Sequence, residues 1–297
     1  MKFGIHLPQV GPNANRENIL KMARFAEDAG FDSVWVSDHV VTPRALESRY
    51  PYNPTGAYPL PPDWDFMEPL ATLAVVAGAT ERVQLGTTVL VLPMRNPVVH
   101  AKMISTIHAL SQGRMILGVG AGWMREEFEA LDADFENRGK VFDEYLQVVR
   151  GLWEEDNLNF RGETYSVHDL GFAPRPERGT LPIWIGGHHR AALRRVATWG
   201  DGWHAVGVAL DEIPEKWERI KVMAREKGRD PAALELSVRT GFRAGDPEPV
   251  RAQMERLVAM GMSHVVLDVP ARSVDDSMTG LRWFADEVRP SIDQAAA

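Results

Sequence analysis

The sequence has no cysteine, no long apolar run and no excess of positive charge. Without cysteine, a disulfide-stabilised scaffold, iron–sulfur ligation, a thiol nucleophile and cysteine-ligated zinc are excluded. The longest apolar run, Pro69–Ala79, is far shorter than the ~18 residues that a membrane-spanning helix needs. The N-terminus leads directly into a strand-like segment, which predicts no signal peptide and a cytoplasmic location.

The overall composition indicates a folded protein that works on small molecules. The 297 residues include 41 acidic and 33 basic side chains, a formal net charge of −8. This balance argues against nucleic acid or an anionic membrane as the main partner. Hydrophobic residues make up 44% of the chain and charged residues 25%, which is typical of a soluble globular protein with a full core.

Short apolar runs alternate with helical patterns along nearly the whole chain. Eight runs predict strands buried on both faces, beginning at Lys2, Ser33, Val83, Arg114, Pro182, Trp203, Leu234 and His264. Helices are predicted from Asn13 or Asn15 to Gly30 and over 67–79, 97–110, 138–154, 189–199, 211–227, 247–260 and 275–289. Eight such units predict an α/β fold, a closed (β/α)8 TIM barrel, as a single domain over residues 1–297. The alternative is an open doubly wound sheet, but the glycine fingerprint of that fold does not follow the first strand.

Two units are much longer than the others, those after the second and fourth strands. The first insertion, residues 40–65, is rich in proline and in large aromatic residues (Tyr50, Tyr52, Tyr58 and Trp64). The second, roughly 123–181, contains an additional helical stretch and a small hairpin over Asn157–Asp169. Both leave from the strand ends where such barrels keep their chemistry, so we expect lids or binding loops.

Histidines at two strand ends are candidate proton-transfer groups. His39 follows Asp38 at the end of the second strand, and His6 ends the first. Imidazole can move a proton near neutral pH, and the alternative for each is a hydrogen-bonded structural histidine. Because His6-Leu7-Pro8 lacks the second histidine of a His-x-His ligand pair, no catalytic metal is expected.

Glycines follow the fourth and fifth strands at the same edge. Gly118, Gly120 and Gly122 would let a flat ligand or a phosphate approach the backbone, and a tight turn is the simpler explanation. The run Gly186-Gly187-His188-His189-Arg190 leads into a helix, with Arg194 and Arg195 one turn further on. Free N–H groups, the helix dipole and Arg190 predict an anion site there. The alternative is a glycine turn before a solvated basic helix face.

Five motifs together resemble one known family. They are Ser37-Asp38-His39, Leu85–Val89, Gly113–Trp123, Pro182–Gly187, and the tract Arg125–Gly139 with Asp143-Glu144 on the following helix. On these motifs the chain resembles the bacterial luciferase-like flavin-dependent superfamily, from Lys2 to about Arg289. The loops Arg49–Tyr52 and Leu92–Pro97 are most similar to the probable coenzyme F420-dependent oxidoreductases.

The resemblance implies a (β/α)8 barrel that holds a deazaflavin, coenzyme F420, in a cleft at the carboxyl ends of the strands. It implies a cis peptide bond between Thr88 and Val89 behind the central ring, and a catalytic His39 that acts as acid or base at the ring. The cofactor-binding residues expected on this basis are Asp38, Thr87, Thr88, Val89, Gly120, Gly122, Gly186, Gly187, His188 and Arg190. Relatives of this kind are commonly dimers, so a homodimer is expected.

The implied activity is hydride transfer between F420 and a small organic substrate. Trp123 stands where related sugar-phosphate dehydrogenases have a catalytic glutamate, so we expect an apolar or aromatic substrate rather than a sugar phosphate. His6, Trp123 and Trp64 are expected to line the substrate pocket, although Trp123 could instead anchor the following helix. The alternatives are an FMN-dependent monooxygenase that uses reduced flavin and oxygen, a metal-free lyase or isomerase, and a flavin-binding barrel without turnover.

Overall fold

A closed barrel of parallel strands is the centre of the computed structural model, which describes residues 1–177, 181–269 and 271–295. The strands are β1 (Lys2–His6), β2 (Ser33–Val36), β3 (Gln84–Thr87), β4 (Leu90–Val91), β5 (Met115–Gly120), β6 (Leu158–Arg161), β7 (Ser166–Leu170), β8 (Ile183–Gly186), β9 (Gly202–His204), β10 (Glu235–Gly241) and β11 (His264–Asp268). β1 pairs with β2 and β11, and β3 pairs with β5, which closes a ring of eight once β3 and β4 are counted as one interrupted strand. The predicted (β/α)8 barrel is confirmed, and each barrel strand begins within one residue of its predicted start.

Helices surround the barrel and follow the predicted pattern closely. They are α1 (Arg16–Asp28), α2 (Pro69–Ala77), α3 (Pro97–Leu110), α4 (Arg125–Ala130), α5 (Arg138–Glu154), α6 (Arg190–Trp199), α7 (Ile213–Glu226), α8 (Pro247–Ala259), α9 (Val274–Trp283) and α10 (Arg289–Ala295). Asn15 caps α1 by accepting the Asn18 N–H at 2.9 Å, as one of the two predicted caps. The predicted helix 275–289 extends further, because a π-helical segment, Phe284–Val288, joins α9 to α10.

The interior of the barrel is filled by large aromatic side chains. Trp35 stacks on Trp184 with ring centroids 5.3 Å apart and on His204 at 5.4 Å. Gly86 makes room for this layer, since a Cβ at that position would lie 2.3 Å from the Trp35 ring. All three rings are buried, so truncating Trp35 to alanine would cost ~3–5 kcal/mol. The interior is therefore a packed core, and the chemistry is left to the strand ends.

The second insertion contains the predicted hairpin. β6 and β7 pair antiparallel between Leu158 and Leu170, which confirms the hairpin predicted over Asn157–Asp169. Glu144 of α5 anchors it by accepting the backbone N–H groups of residues 163–165 and the hydroxyl of Thr164. Burial would raise the pKa of Glu144, but these donors stabilise the carboxylate and lower it. Residues 178–180 of this predicted insertion lie outside the described part.

The first insertion, which we call the 40–65 loop, contains no helix or strand and lies against other loops at the carboxyl edge of the barrel. Trp64 packs on Gly11 and Tyr52 packs on Gly207, at distances that leave no room for a Cβ on either glycine. Among the described residues, no helix is long and apolar enough to cross a membrane. The single domain over 1–297 stays a prediction, and residues 178–180, 270, 296 and 297 are outside the description.

Candidate active site

Four polar side chains from neighbouring strands meet at the carboxyl mouth of the barrel. His6 ends β1, and its Nε2 lies 2.8 Å from the hydroxyl of Ser37, which follows β2. Arg239 of β10 donates to the same hydroxyl at 2.9 Å and to the carboxylate of Asp268 at 2.7 Å. Because carboxyl ends of adjacent parallel strands share one edge, side chains distant in sequence form one network here.

The charges of this network are fixed near neutral pH. Burial, together with the positive charge of Arg239, lowers the pKa of His6 to about 3, although Asp268 opposes this. Burial would raise the pKa of Asp268, but Arg239 lowers it. His6 is therefore neutral beside a charged Arg239–Asp268 pair, so it can orient a ligand but does not supply a proton near neutral pH.

His39 forms a pair with a buried carboxylate. Its Nδ1 lies 2.8 Å from Oε2 of Glu127, and the two side chains are 12% and 2% exposed. The other carboxylate oxygen, Oε1, accepts the backbone N–H of Val40 at 2.5 Å and that of Val41 at 3.4 Å. Glu127 thus holds the predicted proton-transfer residue and the start of the 40–65 loop at the same time.

Aromatic rings surround His39. We call Tyr50, Tyr52, Tyr58, Phe66 and Trp123 the aromatic cluster; the rings of Tyr58, Phe66 and Trp123 lie 5.4, 5.5 and 6.0 Å from that of His39. The ring centroids of Tyr50 and Trp123 lie 5.1 Å apart. Burial raises the pKa of Tyr50, and the nearby positive charge of Arg239 opposes this rise. The cluster therefore connects His39 to the polar network and surrounds it with apolar surface.

Trp123 and Trp64, both predicted to line the substrate pocket, lie in different places. Trp123 is inside the aromatic cluster, in ring contact with His39, Tyr50 and Tyr58. Trp64 is 43% exposed and lies against Gly11, outside the rings that surround His39. Their roles in binding a substrate stay predictions.

Glu126, the residue before Glu127, holds the 40–65 loop at a second point. Its Oε1 accepts the backbone N–H groups of Glu47 at 2.6 Å and Ser48 at 2.9 Å. Burial would raise the pKa of Glu126, but these hydrogen bonds and its own backbone N–H lower it to about 2. The short helix α4 therefore fixes the loop through two adjacent carboxylates.

Asp38, predicted to bind the cofactor, is fully engaged by the protein. Arg95 donates Nη1 to Oδ2 at 2.7 Å and Nη2 to Oδ1 at 2.6 Å, and the backbone N–H of Val91 also donates to Oδ2 at 2.8 Å. The structure thus shows Asp38 fixing the end of β2 to β4. A direct contact between Asp38 and a cofactor stays a prediction.

The predicted cis peptide bond is present between Thr88 and Val89. Thr88 Oγ1 lies 2.8 Å from Nε2 of His204, and Thr87 donates its hydroxyl to the carbonyl of Gly118 at 2.7 Å. The side chain of Val89 fills the space left by two of the predicted cofactor-binding glycines. A Cβ on Gly120 would lie 2.7 Å from Val89, and one on Gly186 would lie 3.0 Å from it.

Gly122, also predicted to bind the cofactor, serves local packing. It has a φ of +79°, and a Cβ there would lie 2.6 Å from the ring of Phe128. Glycine is thus required by both the backbone conformation and the close approach of α4. A contact between Gly122 and a cofactor stays a prediction.

The start of α6 keeps the features of the predicted anion site. Its N-cap, His189, makes no side-chain capping hydrogen bond, Gly187 has a φ of +98°, and Nδ1 of His188 is buried without a partner. Arg190 is the exposed first residue of the helix. Arg194 and Arg195 both pair with Asp143 of α5; Arg195 is buried there, whereas the side chain of Arg194 stays 52% exposed.

Sequence reasoning missed the role of Glu127 and the pairing of Arg239 with Asp268. Both acidic residues were visible, Asp268 at a strand end and Glu127 within the family-like tract. Nothing in their spacing shows that a carboxylate 88 positions away reaches His39. The Arg239–Asp268 pair could have been predicted from the strand order. β10 and β11 are neighbours, and the two side chains lie near the carboxyl ends of these strands.

The comparisons with known proteins agree with this geometry. A family model described as luciferase-like monooxygenase matches residues 1–289. An uncharacterised protein of Mycobacterium tuberculosis is 35% identical over 71% of this chain and 72% of the relative. The F420-dependent glucose-6-phosphate dehydrogenase of Amycolatopsis mediterranei is 34% identical over 96% of each chain. An F420-dependent secondary alcohol dehydrogenase, solved with an F420-acetone adduct, has a TM-score of 0.81 and 20% identity over 98% of each chain, a likeness of fold.

A parallel barrel with a histidine–carboxylate pair and aromatic walls at its carboxyl mouth is the architecture of an enzyme. The family match over residues 1–289 and the relative that is 34% identical over 96% of the chain show that the chain belongs to the luciferase-like monooxygenase family. This confirms the resemblance drawn from the sequence motifs and the expectation of an oxidoreductase or monooxygenase.

Proposed function

We propose that this protein is an F420-dependent oxidoreductase that acts on a small apolar or aromatic substrate. The observation that carries the proposal is the His39–Glu127 pair, set among aromatic rings and next to the polar network at the mouth. Relatives 34% and 30% identical are named F420-dependent glucose-6-phosphate dehydrogenase, which supports F420 as the cofactor.

The residues present fit a flat ring that carries a phosphate. At the mouth, Tyr50 and Trp123 offer aromatic rings, and His6 is neutral at the end of β1. At the start of α6, backbone N–H groups without a side-chain cap stand beside the unpartnered Nδ1 of His188. A phosphate there would give these donors the partner they lack, with Arg190 adding positive charge.

Each residue then has a defined task. F420, when bound, supplies a hydride acceptor or donor at ring carbon C5. His39 takes the substrate proton on Nε2 during oxidation and returns it during reduction, because its Nδ1 is held by Glu127. The Arg239–Asp268 pair and Ser37 orient the bound groups, and Tyr50 and Trp123 exclude water from them.

The surroundings of His39 support the proposed substrate class. Its wall is formed by Tyr58, Phe66 and Trp123, and burial raises the pKa of Tyr58 so that this wall stays uncharged. The phosphate of a sugar phosphate would need positively charged partners, and none of these three rings carries a charge. The aromatic cluster therefore favours an apolar or aromatic molecule.

A second candidate, an FMN-dependent monooxygenase, is favoured by the description of the matching family itself. The same mouth would hold the ring of FMN, and His39 would stand at the same place. A flavin-binding barrel without turnover is the third candidate. It does not explain a histidine whose Nδ1 is fixed by a buried carboxylate.

The proposal is tested by turnover with each cofactor. Purified protein is mixed with F420 and a panel of aromatic and aliphatic alcohols and ketones, and cofactor reduction or oxidation is followed by absorbance. Glucose 6-phosphate is included as the polar comparison. Turnover with an apolar alcohol or ketone supports the proposal. Turnover with only glucose 6-phosphate contradicts the substrate class, and oxygen-dependent turnover with reduced FMN alone contradicts the cofactor.

We further propose a cytoplasmic homodimer whose partner is a small molecule rather than nucleic acid or a membrane. The net charge of −8 supports this choice of partner. Support for the dimer comes from an exposed apolar stripe on α3, formed by Val99, Met103 and Leu110, with Val75 exposed on the neighbouring α2. Val99, Met103 and Leu110 are spaced by four and seven positions, which places them on one face of the helix.

A further inference from the structure

We propose that Glu127 is a positioning residue that fixes the tautomer of His39. Its carboxylate accepts a hydrogen bond from the Nδ1–H group of His39, which leaves Nε2 as the atom that exchanges a proton with the substrate. This rests on the proposed role of His39 as the proton-transfer group.

The hydrogen-bond inventory of Glu127 carries the proposal. Both carboxylate oxygens are in use, Oε1 by the N–H groups of Val40 and Val41 and Oε2 by His39. An ionised carboxylate has no proton to donate, so the shared proton on the His39 side must sit on Nδ1. The side chain of Glu127 is 2% exposed, so water does not compete for these positions.

The same inventory predicts what a glutamine would do at this position. Glutamine has one acceptor oxygen and one donor NH₂ group. The two backbone N–H groups of Val40 and Val41 require the oxygen, so the NH₂ group faces Nδ1 of His39. A donor there forces the proton from Nδ1 to Nε2. The variant Glu127→Gln therefore inverts the tautomer while the loop keeps its backbone contacts.

Glu126 is the matched control. It lies next to Glu127 on α4 and binds the same loop, through the N–H groups of Glu47 and Ser48. Its hydrogen bonds are to the loop and not to His39. The variant Glu126→Gln therefore disturbs the loop while it leaves the Nδ1 partner of His39 in place. A purely structural role of these two carboxylates predicts similar behaviour for both variants.

The experiment reads the tautomer directly, in the cofactor-free protein, by ¹⁵N NMR of the histidine side chains at about pH 8.5, well above the ordinary histidine pKa of ~6.5. The His39 signals are assigned by their loss in His39→Gln. We expect the Nδ1–H form in the wild type and in Glu126→Gln, and the Nε2–H form in Glu127→Gln. An Nε2–H form in the wild type overturns the proposal, even if a variant fails to fold. So does an Nδ1–H form in folded Glu127→Gln, or inversion in Glu126→Gln.

Turnover gives a second readout that separates the two proposals. In an F420-dependent assay, Glu127→Gln should lower kcat by roughly 100-fold or more, the scale of a lost proton-transfer group. Glu126→Gln should act mainly on KM, through the loop. An unchanged kcat in Glu127→Gln overturns the positioning role. If the wild type shows no F420 turnover, the proposed function fails, and the NMR measurement still decides the tautomer.

Discussion

Arg95 holds both carboxylate oxygens of Asp38, at 2.7 Å and 2.6 Å, in a two-pronged ion pair at the carboxyl edge of the barrel. The side chain of Asp38 is 0% exposed and that of Arg95 19%. Removing one partner of such a pair leaves the other charge buried without compensation. The pair also fixes the residue before His39, so it connects stability to the candidate active site.

We expect Arg95→Leu to destabilise the protein by about 3 kcal/mol, because the charge of Asp38 is left unpaired in the interior. The measurement is urea unfolding followed by circular dichroism. Arg125→Leu is the control, since its pair with Glu136 is exposed to solvent and should contribute much less to stability. Equal losses of unfolding free energy in the two variants would show that the Asp38–Arg95 pair stabilises the fold no more than an exposed pair does.

Replacing His39 with alanine should slow F420-dependent turnover by roughly 100-fold or more, because the proton-transfer group is lost. The affinity for F420 should change little, since the anion site at the start of α6 is left intact. Steady-state kinetics and a binding titration measure the two quantities. His168→Ala, an exposed histidine on β7, serves as the control. A normal rate in His39→Ala removes His39 from the mechanism.

Stability should fall on mild acidification. Burial lowers the pKa of His204 and of His264 to about 3, with smaller effects of Arg239 on His204 and of Lys2 on His264. Between the unfolded pKa of ~6.5 and 3, the unfolded chain binds more protons than the folded one. The stabilisation is complete above pH ~6.5 and is lost as the pH falls through this window, by up to about 1.4 kcal/mol per pH unit for each histidine.

The checking measurement is the free energy of unfolding in urea across this pH range. His264→Gln removes one titrating group and should make the dependence shallower, whereas His168→Gln, at an exposed position, should leave it as it is. A stability that is flat down to pH ~5 would mean that these histidines are not held neutral in the fold.

The apolar stripe on α3 makes a prediction about assembly. Met103→Glu places a charge in its middle, between Val99 and Leu110, and should convert a dimer into monomers. Sedimentation velocity reads the outcome. Val222→Glu, at an exposed apolar residue on α7, is the control and should leave the dimer intact. A wild type that sediments as a monomer would refute the dimer itself.

The barrel could be predicted from the sequence because each unit carries its own local signals. The helix 138–154 begins and ends as predicted, and Gly30, at a φ of +76°, follows α1 as a stop signal should. The π-helical segment Phe284–Val288 has no such signal, and its predicted helix stopped short of Ala295. Hydrophobic periodicity identifies helices and strands well, but it does not show how far the last turns of a helix continue.

The candidate site was predicted in part, because the topology brings the strand ends together but does not determine which side chains pair with each other. His6, His39 and Trp123 were found by their position at the mouth. Asp38 was expected at a cofactor; its pairing with Arg95 was not foreseen, and its contact with a cofactor stays a prediction. Gly120 was explained by ligand approach and Gly186 by an anion site; the structure shows that a Cβ at either position would meet Val89, and their contacts with a cofactor stay predictions. Such pairings depend on side-chain packing across loops, which sequence spacing does not encode.

The central claim, that this mouth binds a deazaflavin, is tested most directly by titrating the wild-type protein with F420 and, separately, with FMN while following the fluorescence of each cofactor. We expect saturable binding of F420 at micromolar concentration and no saturable binding of FMN. We also expect weaker F420 binding in Arg190→Glu, because this variant reverses the charge at the start of α6. Saturable binding of FMN without binding of F420 would contradict the account.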